Sequence, residues 1–187
     1  MHTKKTFISW VGRADLDGQD ASNLGAIARI LLDGEYHFDD AYLLLNSWLE
    51  EKDQYQYWLQ SKLDEKGLLT RLYIENIHIS SPIDYSSIYR ECDLVLRRRN
   101  KAESEITLAL TSGTPAMIAI WLLLGKGVYN TNLVQVSREH GIQEVTLPFD
   151  VSLAYLEQQD SLLKEYLIAS PEVDANFGWS KTISATD

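Results

Sequence analysis

The chain has 187 residues, of which 45% are hydrophobic and 24% charged, enough for one domain with a proper core and a small appendage. Its net charge of −10 excludes a surface that coats DNA or RNA, which needs many Lys and Arg contacts to phosphate, but not a small anion held in a local pocket. The single cysteine, Cys92, excludes an internal disulfide and a cysteine-rich zinc site. No basic segment leads into a long apolar run at the N-terminus and no apolar stretch reaches the roughly 18 residues of a membrane span, so a cytoplasmic protein without membrane contact is expected.

In chain order, Phe7 to Val11 is a short β-rich run that stops at Gly12. A polar loop follows, and Leu24, Ile27, Ala28 and Leu31 then mark one face of a helix. Ala41 to Leu45 predicts a second strand, after which Asn46 or Ser47 is placed to cap a long helix with Trp48, Tyr55, Leu59 and Leu63 on its apolar face, ending at Gly67. Leu72 to Ile79 predicts a third strand. Pro82 opens a helix with Tyr85, Ile88, Cys92 and Val95 at helical spacing. Ile106 to Leu110 is a fourth strand, Ala116 to Leu124 the helix after it, and Leu133 to Val136 and Glu144 to Leu147 are two closing strands.

Strands separated by helices of this length predict parallel crossovers, hence an α/β, doubly wound, mostly parallel sheet flanked by helices. Past about Asp150 the pattern weakens. A helix around Asp160 to Leu167 and a polar stretch from Ser170 to Asp187 predict a helical extension and linker-like tail over 156–187, behind a domain covering 1–155.

In such a sheet, ligands bind beyond the carboxyl ends of the strands, where neighbouring connections diverge. The rule selects Gly12 to Ser22, Asn46-Ser47, Thr111 to Thr114 and Ser137 to Gly141. Thr111-Ser112-Gly113-Thr114 combines hydroxyls with backbone amides at a helix start; Gly113 admits close approach to the main chain, and Pro115 suits the first helical position. The turn can cap its helix, or hold a phosphate or ribose hydroxyl. Neither G-x-x-x-x-G-K-[ST] nor G-x-G-x-x-G occurs, which disfavours the usual ATP and NAD sites, and no cofactor is implied. The next helix is apolar on every side from Ala116 to Leu124, so it is either central in the domain or covered by a second subunit.

The first loop carries Asp15, Asp17 and Asp20, but its spacing fails the calcium-loop pattern and a solvated loop is the simpler reading; no metal is expected. Arg13, just past the strand end, is placed to meet a phosphate. Arg138 and His140 offer a cation and an imidazole that bind an anion or move a proton, or else form a charged surface turn. His2, His37 and His78 show no partner spacing. Arg97-Arg98-Arg99-Asn100-Lys101, the basic run, reads as a solvated helix end, with nucleic-acid contact as the alternative.

The segments "FISWVG", "GAIARILLDGEYHFDDAYLLLN", "LALTSGTPAMIAIWLLL" and "NLVQVSREHG" followed by "VTLPFD" resemble the CARF family, the CRISPR-associated Rossmann-fold sensor domains. The resemblance covers about residues 6 to 155 and lies nearest the sensor domain at the front of sigma-54-dependent activators of the RNA-repair-operon type. It implies a homodimeric Rossmann-like domain whose ligand lies across the two-fold axis: a cyclic oligoadenylate in most of the family, an RNA or RNA end in the RNA-repair branch. Carried over by position, the first-loop motif falls on Ser9, Trp10, Gly12 and Arg13, and the second on Thr111, Ser112, Gly113 and Thr114. Many relatives place a basic residue after the glycine, where this chain has Thr114 and Pro115.

The tail "ASPEVDANFGWSK" resembles the approach to the ATPase module of those activators, so an excised sensor of a longer regulator and a truncated relative both stay open. The resemblance implies a sensing module that acts on an attached or partner transcription-activation module and does not itself bind DNA. Two alternatives stand beside it: a metal-independent ring nuclease using Arg138, His140, Arg13 and Ser112, and a dimerisation module without ligand.

Overall fold

The computed structural model describes residues 3–148; the helical extension and tail expected over 156–187 lie outside the described residues. The chain enters as β1 (Lys4–Trp10), whose last five residues are all buried. Phe7 and Ile8 send their side chains into opposite hydrophobic layers, as the two-residue period of a central strand requires.

The stretch after Gly12 is not an open loop. It folds into a short helix α1 (Arg13–Asp17) and a small antiparallel hairpin of β2 (Gln19–Asp20) and β3 (Asn23–Leu24) before α2 (Ala26–Leu32). Leu24 therefore belongs to the hairpin and not to the helix face. The next elements are β4 (Asp40–Leu45), a 3-10 turn at Leu49–Glu51, α3 (Lys52–Glu65) and β5 (Arg71–Asn76).

Neither Asn46 nor Ser47 caps α3. Trp48 takes up a left-handed backbone (φ 58°) that interrupts the run, and Glu51 stands at the helix start. Further on, α4 (Tyr85–Arg99) begins three residues after Pro82, where the Asp84 carboxylate accepts the Ser86 amide. Then come β6 (Ser104–Ala109), α5 (Pro115–Gly127), β7 (Asn132–Ser137) and β8 (Gly141–Glu144). The last strand sits earlier than its apolar residues suggest, because Gly141 turns the chain back with φ 68° and the pairing starts at once.

The main sheet has the order β5-β4-β1-β6-β7-β8, all parallel but for β8. The layer containing Phe7, Ile27, Leu31, Tyr55 and Leu59 covers one face with α1, α2 and α3. The other layer, with Ile8, Trp10, Cys92, Ile120 and Trp121, is made by α4 and α5. This is a three-layer, Rossmann-like α/β domain. Because β1 hands its connection to one face and β6, its neighbour, to the other, the crevice between their carboxyl ends is the topological switch point. Among the described residues, no helix is long and apolar enough to cross a membrane.

Candidate functional site

At the switch point the two glycine turns meet. A Cβ built on Gly12 would stand 3.6 Å from the Gly113 amide nitrogen and 4.0 Å from Ser112 Cβ. Gly113 has φ 110°, a conformation in which L side chains are strained, and a Cβ there would come within 3.2 Å of Trp10 Cβ and Met117 Sδ.

The three hydroxyls of the 111–114 turn each have a protein partner. Thr111 Oγ1 accepts the Val136 amide at 2.7 Å and ties the turn to β7. The buried Ser112 hydroxyl donates to Asp15. Thr114 Oγ1 accepts the Met117 amide at 3.3 Å, capping α5, and donates to the Pro82 carbonyl at 2.5 Å. Thr111 and Gly113 are the exposed residues of the turn, and the Gly113 amide has no hydrogen-bond partner among the described residues.

Asp15 was legible only as one loop acid of three, yet it is the hub beneath both turns. It is 1% exposed; Oδ2 accepts the Gly12 amide at 2.9 Å and Oδ1 the Ile27 amide at 3.1 Å. Thus one carboxylate joins the end of β1, the start of α2 and, through Ser112, the turn before α5. Burial raises its pKa above the ordinary 3.8, and the bonds from Ser112, Gly12 and Ile27 oppose that rise. The nearby Tyr55 hydroxyl is buried without a hydrogen-bond partner among the described residues, and its pKa is pushed well above normal by burial first and the Asp15 charge second. The sequence signal for Asp15 was its place three residues after the helix-starting Gly12, the spacing of a capping acid. The other two acids serve elsewhere: Asp17 pairs with Arg13 and Asp20 accepts from Ser22.

The remaining predicted residues separate. Ser9 and Trp10 are wholly buried, Ser9 donating to the Trp10 carbonyl at 2.8 Å, so they form the floor under the turns and not their surface. Arg13 is exposed but engaged: it pairs with Asp17 and with Glu51 (2.5 Å) and lies 6.0 Å from the Trp48 ring. Those carboxylates raise its pKa further above an already high value.

Arg138, exposed and without an ion pair among the described residues, borders a cavity of about 240 Å³. Thr111, Gly25, Arg29 and Val136 also line that cavity. His140 lies outside the lining, its side chain 67% exposed and 3.8 Å from Glu139. The arrangement can offer an anion a free main-chain amide, a helix start and Arg138, with Arg13 held in reserve by two carboxylates.

No family model and no curated protein matches the chain. Solved structures do. Enterococcus italicus Csm6 bound to cyclic hexa-2′-fluoro-hexa-dAMP is similar with a TM-score of 0.62 and 18% identity, covering 88% of this chain and 47% of that one. The likeness is one of fold. A type III CRISPR defence DNA nuclease activated by cyclic oligoadenylate is more distant, with a TM-score of 0.46 and 15% identity over 86% of this chain and 27% of that one. The chain thus spans less than half the length of either protein.

Proposed function

We propose that this chain is a CARF-type ligand-sensing domain that binds a cyclic oligoadenylate or an RNA-derived anion at the crevice between β1 and β6. One observation carries the reading: the glycine turns after β1 and β6 abut at the topological switch point, with Gly113 exposed and its amide without a hydrogen-bond partner among the described residues. The matching fold of Csm6, solved with a cyclic hexanucleotide analogue bound, supports that ligand class.

Two copies related by a two-fold axis would bring two such turns to one symmetric anion. The outer face of α5 supports this: Ile118, Ala119 and Leu122 are only half-buried and Leu123 is 42% exposed, an apolar stripe that a second subunit would cover. Ligand occupancy would then reach an attached or partner transcription-activation module, as in the sigma-54-type regulators, as a change in the dimer.

The test is a thermal-shift and calorimetric panel of cyclic tetraadenylate, cyclic hexaadenylate and short RNAs with defined ends. A ligand of the folded state raises the melting temperature, and the reading expects at least one to do so. Unmoved melting and no heat with every compound would sink it. Following the same incubations for linear products, with wild type and Arg138→Ala side by side, decides whether the chain cleaves the ring and whether Arg138 takes part.

A further inference from the structure

The basic run 97–101 finds a use at the opposite end of the sheet. Its residues wall a cavity of about 460 Å³ at the amino ends of β1 and β6, also lined by Lys4, Thr6, Tyr42 and Glu103. The volume lies in the usual range for a small-molecule site. Four cations, Lys4, Arg98, Arg99 and Lys101, face one lining carboxylate, Glu103, in a chain whose net charge is −10.

Two of the lining cations, Arg99 and Lys4, are occupied, as is Arg97 of the same basic run outside the lining. Arg97 pairs with Asp93 at 2.7 Å. Arg99 pairs with Glu75, donates to the Val95 carbonyl at 2.9 Å and lies 3.9 Å over the Tyr42 ring. Lys4 shares the buried Asp40 with Arg71. Arg98 and Lys101 are exposed and have no ion pair or side-chain hydrogen bond among the described residues.

The wall that carries these two cations is rigidly held. Ser104 Oγ lies within hydrogen-bond distance of the carbonyls of Arg99 (2.9 Å) and Lys101 (2.8 Å), which share its one proton, and accepts the Lys101 amide at 2.8 Å. The Lys4 amide ties β1 to the Glu103 carbonyl at 2.9 Å. The end of α4, which carries Arg98, and the turn after it, which carries Lys101, are therefore braced and present two cations without an ion pair among the described residues to a concave, partly aromatic space.

We propose that this cavity is a second anion site, separate from the crevice between β1 and β6, which takes a phosphomonoester of mononucleotide size through Arg98 and Lys101. A dianionic phosphate matches two cations, and the guanidinium fork suits its oxygens. Inorganic phosphate alone would leave most of the volume empty, so an organic group beside Tyr42 and Thr6 completes the fit.

The experiment is calorimetric titration of the full chain with AMP, inorganic phosphate and adenosine. It uses wild type, R98E/K101E, R98Q/K101Q and, for the other end of the sheet, R138E. Both cations are exposed, so the variants should fold; unchanged circular dichroism and melting check this. The proposal expects AMP to bind more tightly than phosphate and adenosine not at all. AMP affinity should fall by about tenfold or more in both double variants, roughly 1.4 kcal/mol, and persist in R138E. Binding that survives in R98E/K101E, that is lost only in R138E, or that is as tight for adenosine as for AMP would overturn it, as would no binding of AMP to wild type.

Discussion

The Gly12 amide donates to Asp15 Oδ2 at 2.9 Å, so the turn that ends β1 is held by the helix it starts. The same carboxylate accepts from Ile27 and Ser112, which makes the geometry of the two glycine turns depend on one buried acid. Asp15→Ala leaves the Gly12 and Ile27 amides without their acceptor, and a loss of about 2–4 kcal/mol is expected from urea denaturation.

Asp15 also predicts a pH signature. Its folded pKa is raised above 3.8, so its titration favours the fold fully below that value and the contribution is lost as pH rises through the raised value. Asp15→Asn removes this titration. The stability of wild type relative to Asp15→Asn should therefore fall as pH rises above the ordinary value of 3.8. A difference that grows with pH would mean that the hydrogen bonds, and not burial, dominate the carboxylate.

The hydroxyls of the 111–114 turn act on the fold before they act on any ligand. Thr111→Val, Ser112→Ala and Thr114→Val should each cost about 1 kcal/mol of stability, while Thr114→Ser keeps the cap. Gly113→Ala, forced to φ 110° against Trp10 and Met117, should cost about 1–3 kcal/mol and weaken ligand binding besides. Melting curves with and without ligand separate the two effects.

Arg13 is held by Asp17 and Glu51, and an anion must compete with both. Asp17→Asn with Glu51→Gln releases the guanidinium, and the affinity for an anionic ligand should rise severalfold, more at low salt than at high. Equal affinity in wild type and variant would place Arg13 outside the binding surface.

The apolar stripe on α5 gives a prediction about assembly. Leu123, 42% exposed, can take a charge without entering the core. Leu123→Glu should leave the circular dichroism unchanged and weaken self-association by about tenfold or more in sedimentation equilibrium. An unshifted monomer–dimer equilibrium would move the interface elsewhere.

The alternating strands and helices, the parallel order and the strand–"TSGTPAM"–helix unit were legible in the sequence, because hydrophobic period and turn chemistry act over a few neighbouring residues. So was the crevice at the carboxyl ends of the strands, which follows from topology alone. Partners lay beyond that reach. Thr111 meets Val136 across 25 positions, Arg13 meets Glu51 across 38, and Arg99 meets Glu75 across 24. Periodicity placed the hydroxyl turn and the two charged segments. Only the folded chain decided that the hydroxyls brace the turn, that Asp15 joins both loops, and that Arg98 and Lys101 have no ion pair among the described residues, since ion pairing and hydrogen bonding depend on which distant segments the sheet brings side by side.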